Sequence, residues 1–208
     1  MFILLVSWGT PVKVGKDPFT GRFTPDGRFY ITSDWGRNFG EQIKTLEARL
    51  PTTAGTVSVI QLAKIGTLAT NAQHQVVSTA TSDLSPESLA ISPDGSMVVT
   101  VNMRGTAFAQ SSPRFTPEAS LSLLMLDRQS GKLTKVDDYP FVGILPESVA
   151  FDASGNYLAV AIYDFFTSKP EGGVELWQIM MNPTPKLQRL ERIIDVGRGT
   201  HQVLIAPP

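Results

Sequence analysis

The 208-residue chain is 42% hydrophobic and 18% charged, which supplies enough apolar material for a sizeable packed core. Its 18 basic and 19 acidic residues leave a net charge of −1, so neither nucleic acid nor an anionic membrane is an expected partner. With no cysteine, a disulfide framework and a thiolate nucleophile are both excluded.

The first stretch, Met1–Trp8, is apolar but has no basic leader or small-residue cleavage site. It is far too short to span a bilayer and reads as a buried strand. Thr24-Pro25-Asp26-Gly27 follows, set between Phe23 and the pair Phe29-Tyr30. Pro presets one dihedral, Asp bonds its own backbone and Gly accepts a positive φ, so this is a turn between two strands. The unit returns as Ser92-Pro93-Asp94-Gly95 and as Asp152-Ala153-Ser154-Gly155, again between apolar runs. A unit that recurs three times is a repeat and governs the architecture.

A second matching set lies between the turns. Val57–Leu62 corresponds to Leu121–Leu126 and to Val174–Ile179, each preceded by small residues. A fourth strand follows near Gln75–Ser78, Leu133–Val136 and Leu187–Val196. Each repeat is therefore a four-stranded meander, the blade of a β-propeller. Setting Gly15 on Gly197 aligns Val12–Phe19 with Ile194–His201, and both segments match the end of one blade running into the next.

The expected fold is thus all-β: about three complete four-stranded blades with partial blades at both ends. Residues 1–17 would end a preceding blade, 18–82, 83–142 and 143–197 would be whole blades, and 198–208 would give the first strand of another. Closed propellers need roughly four to eight blades. The chain therefore reads as a segment completed by further blades or by self-association. The link between second and third strands shortens from the first repeat to the third, and variable loops on a rigid scaffold are where specificity usually sits. In the longest link, Ile43, Leu46 and Leu50 have helical spacing, so residues 39–49 are expected to form either a short amphipathic helix or a rigid coil on the rim.

The pattern Pro86-Glu87-Ser88-Leu89-Ala90-Ile91-Ser92-Pro93-Asp94-Gly95, with Gly55-Thr56-Val57-Ser58-Val59-Ile60 at the third-strand position, resembles the YVTN-type and lactonase-like seven-bladed propellers. Trp177 does not indicate a WD-repeat protein, since its Asp partner and the Gly-His dipeptide are missing. The resemblance implies a channel whose mouth gathers acidic, basic and His side chains. It also implies an exported location, periplasmic or extracellular, and opening of a small sugar-acid or muconate-type lactone. Related propellers include non-catalytic modules, which leaves open the binding of a protein, peptide or glycan through the variable loops.

Blade-to-blade alignment puts Phe19, Glu87, Glu147 and His201 at one position, where first strands begin. Glu87, Glu147 and His201 are the candidate catalytic residues, as general base and acid. The same side chains could bind a divalent cation, or the glutamates could simply accept backbone N–H bonds and channel water. Arg37 and Arg104, at the ends of the second strands, are candidates to hold the carboxylate that forms, and Trp35 and Tyr163 to contact substrate or to pack on the rim. No phosphate-cradling Gly-rich loop, His-Glu-x-x-His, Gly-x-Ser-x-Gly or EF-hand pattern occurs.

Overall fold

A computed structural model describes residues 8–63, 72–169 and 171–206. The strand expected at Met1–Trp8 lies outside the described residues except for Trp8. Twelve strands form three antiparallel meanders. The first sheet holds β1 (Pro18–Phe23), β2 (Phe29–Asp34), β3 (Thr56–Gln61) and β4 (Gln75–Thr81). The second holds β5 (Pro86–Ile91), β6 (Met97–Asn102), β7 (Glu118–Leu126) and β8 (Leu133–Val142). The third holds β9 (Ile144–Phe151), β10 (Tyr157–Asp164), β11 (Glu171–Met181) and β12 (Pro185–Gly197). Residues 8–17 and 198–206 carry no assigned strand.

The turns are built as their sequences require. Gly27, Gly95 and Gly155 have φ of +68°, +75° and +73°, a region open to glycine without a Cβ penalty. The Asp26, Asp94 and Asp152 carboxylates accept backbone N–H groups across the turn. Alternation along the strands then sorts the side chains. Phe29, Ile31, Val57 and Val59 of the first sheet meet Leu89, Val98 and Leu124 of the second. Val99, Val101, Leu121 and Leu123 on its other face meet Leu158, Val160 and Trp177 of the third. The blades are thus stacked through two apolar interfaces, and β1, β5 and β9 come side by side.

Each blade carries a hub at the end of its second strand. The Asp34 carboxylate accepts from Gly15 N, Thr32, Thr56 and Ser58. Asn102 accepts from Ser82 and Thr100 and donates to Ser120 and Ser122. The third blade has Ile162 at this position, against Gly143. At the Ser58 and Ser122 position it places Glu175, fully buried and ion-paired with Arg189.

Only Leu46–Arg49 of the expected 39–49 helix forms (α1), capped by the Thr45 side chain. The reason is packing. Leu50 goes under the loop with Trp35, Met103 and Phe108, while Leu46 stays exposed, so no continuous apolar helix face has a surface to cover. Arg114 from the 103–117 link donates to the carbonyls of Glu47, Leu50 and Pro51, locking the two long loops together. No helix among the described residues is long and apolar enough to cross a membrane.

Candidate active site at the channel mouth

The first strands begin with a shared backbone device. Asp17, Ser85 and Leu145, each before a proline, have φ of +56°, +58° and +50°, and Gly199 at the corresponding place has +99°. One residue after each proline the ladder slips: Phe19, Glu87 and Glu147 are the extra residues between Pro18 and Thr20, Pro86 and Ser88, and Pro146 and Ser148. A bulge re-aims its side chain out of the regular alternation. Three equivalent bulges thus lie side by side, each with a left-handed residue ahead of it; Phe19 and Glu147 reach a common place, with Glu87 behind it.

That place is an open cavity of about 370 Å³ lined by Phe19, Thr20, Gly21, Arg22, Ser88, Glu147, Ser148, His201 and Gln202. The imidazole Nδ1 of His201 lies 3.3 Å from Glu147 Oε1. The His201 ring meets Tyr163 edge to face at 5.4 Å. Glu87 sits behind, only 4% exposed. Burial first, and then the neighbouring Glu147 carboxylate, pushes its carboxyl from 4.5 up to about 8, with Arg37 pulling the other way. Glu87 Oε2 has no hydrogen-bond partner among the described residues, and the charge on Glu147 weighs on the Glu87 carboxyl more than the contact between the two does. Burial also raises Glu147, with His201 opposing. Around pH 7 Glu87 therefore holds its proton, and Glu147 is the partner that reaches the cavity.

Arg37 and Arg104 are placed differently. Arg37 binds Asp17 at 2.6 Å and lies over Trp35, 4.1 Å from its ring centre, between Phe19 and Phe39. It reaches the pair as a nearby positive charge on Glu87. Arg104 faces Asp83 at 3.4 Å and Glu118 at 3.6 Å and does not line the cavity. Trp35 is buried against Leu50, Met103 and Phe108, so rim packing occupies it. Tyr163 supports His201 from beside the cavity. No group of three or more His, Asp or Glu among the described residues is arranged to hold a metal ion.

Sequence reasoning missed Arg22 and the polar row Thr20, Ser88, Ser148 and Gln202. The row was visible, since each member directly follows Phe19, Glu87, Glu147 or His201 in the aligned blades.

A stack of four-stranded meanders around first strands that converge on one cavity defines a β-propeller segment. The chain belongs to the family described as "Lactonase, 7-bladed beta-propeller", whose model matches residues 52–164, more than half of its length. No curated protein matches the chain. Among solved structures it is similar to a candidate 6-phosphogluconolactonase from Bacteroides fragilis (TM-score 0.53, 16% identity, covering 88% of this chain and 55% of that one). A candidate 6-phosphogluconolactonase from Bacteroides uniformis is similar too (0.50, 16%, 88% and 55%). So is a functionally unknown protein from Desulfotomaculum acetoxidans (0.50, 12%, 88% and 46%). At these identities the likeness is one of fold, and the chain spans about half the length of these structures.

Proposed function

We propose that this segment carries the reacting groups of a lactone hydrolase acting on a small sugar-acid or muconate-type lactone. The observation that supports it is the meeting of Glu87, Glu147 and His201 from successive blade positions, with one carboxyl held protonated behind the other. A carboxylate raised by burial and open to a polar cavity is a competent base near neutral pH. Glu147 takes a proton from water as its oxygen attacks the lactone carbonyl carbon. The ring C–O bond then breaks, and the same carboxyl returns the proton to the departing ring oxygen, giving the open hydroxy acid. His201 orients Glu147, and protonated Glu87 keeps the base singly charged. An exported location, implied by the family resemblance, belongs to the same reading.

The test is lactone opening followed by pH-stat with D-glucono-δ-lactone and muconolactone, using wild type and Glu147→Gln. Loss of a general base lowers the enzymatic rate by about 10²–10⁴-fold, while far-UV circular dichroism stays unchanged. Equal rates in the two proteins, or no acceleration by wild type over the spontaneous reaction, overturn the reading. The second result would favour a binding module working through the 35–54 and 103–117 loops.

A further inference from the structure

We infer that Arg22 is a specificity residue that anchors an acidic group of the ligand, a carboxylate or a phosphate, below the Glu147–His201 pair. The inference rests on the reading above for the nature of the ligand, but not for its test.

Among the described residues, Arg22 is the one cation that lines the mouth cavity. Arg37, Arg104, Arg189 and Arg198 each face a carboxylate. Arg28, Arg114 and Arg128 donate to backbone carbonyls of distant segments. Arg22 is exposed, and its one hydrogen bond runs to the carbonyl of its own neighbour, Gly21. Among the described residues it has no ion-pair partner. It pairs with Ile31 across the ladder, and side chains on facing positions share a face, so it projects toward the second blade.

Its register makes the placement informative. Arg22 occupies the position filled by Ala90, Ala150 and Leu204 in the other blades. The channel wall at that level is otherwise small or apolar, so a guanidinium there serves no repeat-wide packing need. Arg22 lines both the mouth cavity and a second hollow of about 190 Å³ beyond it, and the two also share Ser148 and Gln202. It stands three residues past Phe19, about 10 Å along the strand. Between the two levels run Thr20, Ser88, Ser148 and Gln202, a row of hydroxyl and amide groups from four successive blade positions. A short hydroxylated chain with an acidic end would place its hydroxyls on this row and its acid on Arg22. The guanidinium fork matches carboxylate and phosphate oxygens two at a time.

Binding of three unreactive probes to the full 208-residue chain tests this by isothermal titration: D-glucitol (neutral), D-gluconate (carboxylate) and D-glucitol 6-phosphate (phosphate). Wild type should prefer at least one acidic probe over D-glucitol by at least about tenfold, as expected of a charge-assisted pair. The arm with the stronger preference names the acid. Arg22→Gln should erase the preference, and Arg22→Lys, which keeps the charge and loses the fork, should retain part of it. Equal affinity for all three probes, no binding of any, or a preference that survives in Arg22→Gln would each overturn the inference. Repeating the titrations in Glu147→Gln separates the two proposals. Preference without lactone opening in wild type overturns only the catalytic reading, and opening without preference overturns only the anchor.

Discussion

Replacing Glu87 by Gln should make the protein more stable, and only above a definite pH. The carboxyl is buried, so its charged form is penalised in the native chain, with a pKa of about 8 against the ordinary 4.5 once unfolded. Below pH 4.5 both states hold the proton and the group has no effect on stability. Above it the unfolded chain releases the proton while the native chain keeps it, so native stability falls by about 1.4 kcal/mol per pH unit until pH 8. The loss is on the order of 3 kcal/mol at pH 7 and on the order of 5 kcal/mol beyond pH 8. Gln keeps the shape but never ionises. Urea unfolding at pH 4, 5, 6, 7 and 8 should give curves that coincide at pH 4 and separate steadily, with Glu87→Gln more stable. Parallel stabilities of the two proteins from pH 5 to 8 would refute the claim that Glu87 is held as a neutral acid.

Two further predictions concern the blades themselves. Arg189→Ala leaves the buried Glu175 carboxylate without its partner and should destabilise the protein by about 3 kcal/mol at pH 7, by thermal or urea unfolding. The loss should shrink as pH falls and Glu175, already raised by burial, takes a proton. Asn102→Ala removes a fully buried hub and leaves the Ser82, Ser120 and Ser122 hydroxyls short of partners, which should cost about 2–4 kcal/mol by the same measurement.

Much of this was legible in the chain, and the reasons differ by element. The Pro-Asp-Gly turns and the period-2 runs around them are local chemistry, so the meanders and the common position of Phe19, Glu87, Glu147 and His201 could be read directly. The aiming of those side chains could not. It depends on a bulge after each proline and a left-handed Asp17, Ser85 or Leu145 before it, and although aspartate enters that region more readily than most, nothing in Ser85 or Leu145 announces a positive φ. The arginines show a second limit. Arg37 and Arg104 follow the ends of the second strands, but Asp17, Asp83 and Glu118 reach them only in the folded chain. Arg22 looked like one more strand residue because sequence does not report which cations lack an acid nearby. Trp35, similarly, was exposed or covered according to where Leu50 went, a matter of loop packing.

The hubs bear on how such chains can be rebuilt by duplication. Asp34 bonds Gly15, Asn102 bonds Ser82 and Ile162 lies against Gly143, so each hub meets the segment arriving from the blade before it. The stacked faces are broadly interchangeable, since one aliphatic surface suits another. The hub and the incoming segment are a matched pair: a carboxylate with a glycine N–H in the first blade, an amide with a serine hydroxyl in the second, and isoleucine with glycine in the third. A copied blade inserted behind a new neighbour would bring half of that pair with it. Shuffling that keeps function must therefore cut within blades, so that each hub travels with the segment leading into it.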